Sequence, residues 1–250
     1  MSLDIAGLTD IGRKRKRNED SFSITASGDW TFCIVADGMG GHTGGDTASR
    51  LALEGAQIGF ESAKGSIGER LLAAVEQANV LVWQEAERQP RLMGMGTTFV
   101  GLAIQPDRFQ VVHVGDSRAY LATAGSIRQL TVDHSWVAEQ VAIGAMTEED
   151  AAKHPFRGAI TRCVGCQPTV EPDLQAEEPL PIGSAIVLCS DGLTNHLSDD
   201  EIRDIAISES AESACQTMIN LANERGGIDN ITVIVARAGS EGATGTGSSE

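Results

Sequence analysis

Aspartate recurs in this chain where apolar runs begin or end. Thr31-Phe-Cys-Ile-Val-Ala36 stops at Asp37-Gly38, Ala185-Ile-Val-Leu-Cys189 stops at Ser190-Asp191-Gly192, and Val111-Val-His-Val114 leads into Gly115-Asp116. In the opposite sense, Asn18-Glu19-Asp20 opens the run Ser21 to Thr25, and Asp229-Asn230 opens Ile231-Thr-Val-Ile-Val235. A single Asp-Gly pair is an ordinary turn; its repetition at strand ends is a pattern. If neighbouring strands run antiparallel, Asp37 and Asp191 at strand ends gather on one edge with Glu19, Asp20 and Asp229 at strand starts. Carboxylates a few ångströms apart repel one another unless cations lie between them. Glycine after Asp37 also lets a backbone carbonyl approach a ligand closely. The spacing therefore predicts a metal site of oxygen ligands, which suits Mg²⁺ or Mn²⁺ better than zinc.

Two hard cations sharing a water can lower its pKa and direct it at phosphorus, and an arginine beside them can neutralise phosphoryl oxygens. Rival phosphate chemistries fail on residue spacing. A thiol phosphatase needs arginine six residues after its cysteine, but those positions hold Met39, Thr169, Pro172, Asn195 and Leu221. There is no Gly-Lys dipeptide for a phosphate-binding Walker loop. Cys163-Val-Gly-Cys166 lacks the second pair or spaced histidines of a zinc site and reads as structural. Spacing alone ranks metal-dependent phosphoester hydrolysis first and a calcium-binding module second, although the Asp-x-Asp-x-Asp-Gly spacing of calcium loops is missing.

The elements that must position these groups can be read in order. Leu3 to Thr9 is a first strand, followed by Gly12 and the cations Arg13-Lys-Arg-Lys-Arg17. Ser21 to Thr25 and Thr31 to Ala36 form a hairpin around Ser27-Gly28-Asp29. Helices are expected over 44–60, with Ala48, Leu51, Ala52 and Gly55 packed, and over 66–88, with the 3.6-residue stripe Ile67, Leu71, Val75, Ala78, Val82 and Ala86. Strands at 97–105, 108–114 and 117–124 read as a meander closed by Ile127 to Thr131. Residues 133–166 break the pattern and read as an insertion at the sheet edge, a candidate lid with two short helices. Strands resume at 169–176 and 185–189; Ser198-Asp-Asp-Glu201 caps a helix carrying Ile202, Ile205 and Ala206. A helix over 211–225 and a strand over 231–236 follow, and the Gly/Ser/Thr-rich 239–250 reads as a disordered tail. This order fits α+β, a four-layer α-β-β-α sandwich of two antiparallel sheets packed face to face and flanked by helix pairs, in one domain spanning 1–238.

Composition sets the outer bounds. With 41% hydrophobic and 22% charged residues among 250, the chain is that of a soluble globular protein. Its 35 acidic residues against 19 basic give a formal charge of −16, which argues against nucleic-acid or anionic-membrane partners. No signal peptide or membrane-length apolar run is visible, and five cysteines outside any small-secreted pattern suggest reduced thiols, so a cytoplasmic monomer is expected.

Taken together, Gly12-x-x-Arg15-x-x-Asn18-Glu19-Asp20, Asp37-Gly-Met-Gly-Gly-His42, Gly96-Thr97-Thr98, Gly115-Asp116-Ser117-Arg118, Ser190-Asp191-Gly192-Leu193-Thr194 and Asp229-Asn230-Ile231-Thr232 resemble the ordered motifs of the type-2C metal-dependent serine/threonine protein phosphatases, the bacterial branch most closely. The resemblance spans Leu3 to Ala236. It implies a β-sandwich flanked by helices and hydrolysis of phosphoserine or phosphothreonine in proteins, opposing a cytoplasmic serine/threonine kinase. It implies two Mn²⁺ or Mg²⁺ ions bridged by Asp37, with the Gly38 carbonyl on one and Asp191 and Asp229 on the other. Glu19 and Asp20 act on the metals partly through water, Asp116 with Asp191 matches a weaker third site, and Arg15 matches the phosphate-binding arginine. Residues 133–166 match the variable flap. A phosphoprotein-binding form that had lost catalysis would lack a metal aspartate, and none is missing. Many eukaryotic members carry histidine directly after Asp-Gly as the general acid; here that position is Met39, and His42 is the candidate proton donor.

Overall fold

The computed structural model describes residues 2–40 and 44–239, and everything structural below concerns those residues. The chain opens with β1 (Ser2–Asp10), β2 (Asp20–Ser27) and β3 (Trp30–Met39), then α1 (Gly45–Ser62) and α2 (Ile67–Arg88). Next come β4 (Gly96–Thr97), β5 (Phe99–Gln105), β6 (Arg108–Val114), β7 (Arg118–Ala122) and β8 (Ile127–Gln129), followed by α3 (Trp136–Ala142) and α4 (Glu148–Lys153). The remainder is β9 (Asp173–Leu174), β10 (Glu178–Pro179), β11 (Ala185–Cys189), α5 (Asp191–Thr194), α6 (Asp199–Ser208), α7 (Ala211–Glu224) and β12 (Ile231–Gly239). One sheet has the order β1-β12-β11-β7-β8 and the other β10-β6-β5-β3-β2, every pairing antiparallel.

Three apolar layers follow from strand alternation. On β3, Phe32 and Ile34 point to α1 and α2, while Cys33 and Val35 point to the opposite sheet. On β12, Val233 and Val235 face α6 and α7 while Ile234 and Ala236 enter the layer between the sheets. Because both faces of these strands are covered, their sequences read as continuous apolar runs although the sheets are antiparallel. The expected stripe of α2, Ile67 to Ala86, is buried throughout, and its capping box Ser66/Glu69 is formed. The capping box of α6, Ser198/Glu201, is formed too.

Several expectations need correction. The 117–124 strand does not continue the meander: β7 pairs with β8 and β11, so Gly115-Asp116 carries the chain from one sheet to the other. A crossover and a hairpin turn share the same Gly-Asp chemistry, which is why the sequence did not separate them. The strand expected over 169–176 shrinks to Asp173–Leu174 on Val112–His113, because Pro172 has no N–H to give the ladder. Gly239, expected in the tail, pairs with Ser2, and the rest of that tail lies outside the described residues. Cys163 and Cys166, expected to be reduced, form a disulfide, their Cα atoms 5.7 Å apart across Val164-Gly165. Cys33, Cys189 and Cys215 are free and buried, and burial pushes each thiol up to about 12.

Phe32 stacks on Phe60 with ring centroids 4.1 Å apart, joining β3 to α1. Phe32→Ala should cost about 3–5 kcal/mol, the usual penalty for emptying a buried aromatic site. Urea denaturation of both proteins measures this; a loss below about 1 kcal/mol would show that α1 packs without it.

Candidate metal and phosphate site

The β2–β3 hairpin places Asp20 directly opposite Asp37 in register. The ladder continues one step further, the Gly38 N–H donating to the Glu19 carbonyl at 3.1 Å. Gly38 tolerates no side chain: a Cβ there would lie 2.0 Å from the Gly45 carbonyl oxygen and 2.6 Å from that of Glu19. The start of α1 therefore packs directly against the end of β3.

Hydroxyl and amide side chains fix this edge. The Asp37 N–H donates to Thr98 Oγ1 (2.9 Å), and the Asp37 carbonyl accepts from the Thr98 N–H (2.9 Å) and Thr97 Oγ1 (2.8 Å). Thr98 Oγ1 in turn meets Ser117 Oγ at 2.7 Å, so the Gly96-Thr-Thr and Gly115-Asp-Ser motifs clamp the backbone of Asp37. Asp20 Oδ2 accepts from both Ser190 Oγ (2.8 Å) and Thr232 Oγ1 (2.7 Å), which ties β2 to β11 and β12. A relay stands behind it: Asn18 Nδ2 donates to Thr9 Oγ1, which lies 2.7 Å from Thr232 Oγ1. Asn230 Oδ1 accepts from the Glu19 N–H, while its Nδ2 donates to the carbonyls of Ile11 and Arg17 and so closes the basic loop between β1 and β2. Gly12, at φ +81°, seats that loop on Asp229; a Cβ would lie 2.1 Å from the Asp229 carbonyl oxygen.

The structure thus brings together Glu19, Asp20, Asp37, Gly38, Asp191 and Asp229, with Asp116 close enough to act on Asp37. Arg15 joins them through Nη2, which donates to Asp229 Oδ2 at 2.6 Å. His42 lies outside the described residues. Met39 is half-buried and pairs with Gly96. Thr98, Ser190, Asn230 and Thr232 stand in the quoted motifs without an assigned role, and Thr9 stands outside them, yet they hold the carboxylates or the backbone that carries them.

Electrostatics describe the same cluster. Asp37 is pushed well above the ordinary carboxylate range, by burial first and then by the charges of Asp20, Asp191, Asp116 and Asp229. Burial raises Asp20 to about 7, outweighing its hydrogen bonds from Thr232 and Ser190, with Asp191 and Asp229 adding to the rise. Asp116 is raised to about 7 by burial and then by Asp191, and Asp191 is raised by burial and then by Asp229. Asp20 Oδ1 and Asp191 Oδ1 are buried with no hydrogen-bond partner. Converging carboxylates, orphaned oxygens among them and no imidazole or thiolate within the set fit hard divalent cations.

A second cluster, His113, His134 and Asp173, ties the 133–166 segment to the sheet. All three offer ligand atoms within 4.8 Å of one another. The Gly115 N–H donates to His134 Nδ1, so the neutral ring carries its proton on Nε2, 3.3 Å from Asp173 Oδ2. That contact lies at ion-pair distance without hydrogen-bond geometry, while the other Asp173 oxygen accepts from Arg162 Nη1 at 2.8 Å. The segment is anchored again at Asp133, held by Arg118 through two nitrogens, and at Val164, which pairs with Thr97.

The protein-family model described as Protein phosphatase 2C matches residues 11–232. The chain belongs to that family. It is 36% identical over 248 residues to Protein phosphatase PhpP of Streptococcus pneumoniae, covering 96% of this chain and all of that one. The crystal structure of the Mycobacterium tuberculosis serine/threonine phosphatase PstP/Ppp superposes with a TM-score of 0.86 at 35% identity, over 95% of this chain and 99% of that chain. A PstP catalytic domain solved with two manganese ions superposes at 0.83 with 34% identity, over 94% of this chain and 97% of that chain. As a bacterial-type member, this protein phosphatase 2C is a metal-dependent enzyme that dephosphorylates phosphoserine and phosphothreonine in proteins.

The raised carboxylates give a pH test with a definite sign. Between their ordinary value near 3.8 and about 7, Asp20 and Asp116 stay protonated in the fold but ionise in the unfolded chain. Their contribution to stability is complete below pH 4 and is lost as pH rises through 7. Thermal melts in EDTA should therefore fall from pH 5 to pH 7.5 by roughly 5 °C or more for a domain of this size. Mn²⁺ should raise the melting temperature more at pH 7.5 than at pH 5. Equal melts in EDTA, with no pH dependence of the Mn²⁺ effect, would show that the cluster is not repulsive.

Proposed function

We propose that Asp37, Asp191, Asp229, Glu19, Asp20 and the Gly38 carbonyl hold two Mn²⁺ or Mg²⁺ ions, and that Asp116 with Asp191 forms a weaker third position. The observation that carries this is the pair of buried, unpartnered oxygens, Asp20 Oδ1 and Asp191 Oδ1, inside a cluster of mutually repelling carboxylates. Such ions, when bound, supply an activated water and Lewis-acid stabilisation for in-line attack on phosphorus. Ser190 and Thr232 occupy one oxygen of Asp20 and so leave the other directed into the cluster. Thr97 and Thr98 fix the backbone of Asp37 and limit its movement during turnover.

Arg15 is assigned the phosphoryl oxygens. Its side chain is 50% exposed and engages Asp229 through Nη2, which leaves further N–H groups for a phosphate beside the site. His42 is assigned proton donation to the departing serine or threonine oxygen, on the resemblance alone. The substrates follow as phosphoproteins made by a serine/threonine kinase in the cytoplasm, acted on by a monomer. In keeping with this, no helix among the described residues is long and apolar enough to cross a membrane.

Asp37→Asn and Asp191→Asn should each lower Mn²⁺-dependent hydrolysis of a phosphothreonine peptide by more than about 100-fold, beyond the 10–100-fold that outer partners of a metal typically cost. Their circular dichroism should match the parent protein. Wild-type turnover in either variant removes that residue from the metal site. Arg15→Ala should raise KM about tenfold with a smaller change in kcat, because the nucleophile is made elsewhere; an unchanged KM would contradict its role.

A further inference from the structure

The basic loop between β1 and β2 has more cations than phosphate binding requires. Arg13, Lys14, Arg15, Lys16 and Arg17 are consecutive and all exposed, in a chain with a formal charge of −16. Elsewhere most cations are paired: Arg50, Arg88, Arg108, Arg118, Arg128, Lys153, Arg162, Arg203 and Arg225 each reach a carboxylate, and those that do not among the described residues, such as Lys64 and Arg157, are not consecutive in the chain. In the loop Arg15 pairs with Asp229, whereas Arg13, Lys14 and Lys16 meet no carboxylate at ion-pair distance among the described residues. With acidic residues in such excess, three neighbouring cations without partners are a departure from the rest of the surface.

The loop is also held in place rather than free. Gly12 N–H donates to Asp10 Oδ1, Arg13 N–H to the Gly227 carbonyl, and Asn230 Nδ2 binds the carbonyls of Ile11 and Arg17 at the two ends. The backbone that carries these charges is therefore held beside the carboxylate cluster. A cleft of ≈ 330 Å³ lies between them, lined by Arg15, Lys16, Arg17 and Glu19. It joins a candidate metal ligand and the phosphate-binding arginine to the outer cations. A phosphorylated side chain that reaches Arg15 thus brings its flanking residues alongside Lys16, with Lys14 exposed on the same loop just outside the cleft.

We infer that this loop is a specificity subsite that selects phosphoproteins with acidic residues flanking the phosphorylated serine or threonine. The inference rests on the phosphatase reading above and names its preferred substrates. Long-range repulsion from the acidic surface does not cancel it, because charges more than about 8–10 Å apart are largely screened at physiological salt. Contacts formed within the cleft lie inside that distance. Two or three such exposed ion pairs, each modest, together give roughly a tenfold preference.

The test uses the full chain with Mn²⁺ and phosphothreonine peptides of equal length flanked by glutamate, alanine or lysine. The kcat/KM ratio of glutamate-flanked to lysine-flanked peptide should be about tenfold at 0.1 M salt and should shrink markedly at 0.5 M. Lys14→Gln with Lys16→Gln should bring the ratio below about threefold, while Lys14→Arg with Lys16→Arg should keep it near the parent value. A parent ratio at or below one, or a ratio untouched by the glutamine pair in a protein with parental circular dichroism, overturns the subsite and leaves the phosphatase reading standing. Failure of the parent protein to hydrolyse any of the three peptides would instead overturn the phosphatase reading.

Discussion

The constraint on which this structure depends is the repulsion among carboxylates brought to one edge of a sandwich. Asp20 and Asp37 face each other across a ladder, and Asp191 and Asp229 arrive from the other sheet. In the absence of cations, burial first and this repulsion second favour the protonated forms, which is why Asp20 and Asp116 lie near 7 and Asp37 higher than usual. A divalent ion held by these residues, as proposed, would compete with those protons and remove the same strain. On the proposed assignment, metal binding and stability at neutral pH are one equilibrium.

Keeping repelling groups in place requires a frame that does not move with them. Here the frame is a set of short hydrogen bonds from residues with no titratable chemistry. Ser190 and Thr232 grip one oxygen of Asp20, Thr97 and Thr98 grip the backbone of Asp37, and Asn230 closes the basic loop. Val164 pairs with Thr97, so the segment from Asp133 to Cys166 is joined to the same clamp. Its other end is fixed by Arg118 on Asp133, and its middle by His134 and Arg162 on Asp173. A change in that segment can therefore reach the carboxylates through a single strand pairing.

Much of this was legible before any coordinates. The β2–β3 hairpin, the α2 stripe and the capping box of α6 follow from local period and turn chemistry, and the carboxylate cluster follows from asking which strand ends become neighbours. What escaped is non-local. Gly115-Asp116 has the composition of a hairpin turn, and only the pairing of β7 with β11 makes it a crossover. Ser190, Thr232 and Asn230 stand in the quoted motifs and Thr9 outside them, but the role of each depends on positions 170 or more residues apart meeting. The strand expected over 169–176 shortens to β9 because Pro172 has no N–H with which to extend the ladder.

Anomalous diffraction from crystals of the protein soaked in Mn²⁺ tests the central claim most directly. The account predicts manganese peaks within coordination distance of Asp37, Asp191 and Asp229, with Asp20 Oδ1 turned toward one of them and Arg15 beside them. An absence of manganese among these side chains at saturating Mn²⁺, or peaks held instead by His113, His134 and Asp173, would contradict it.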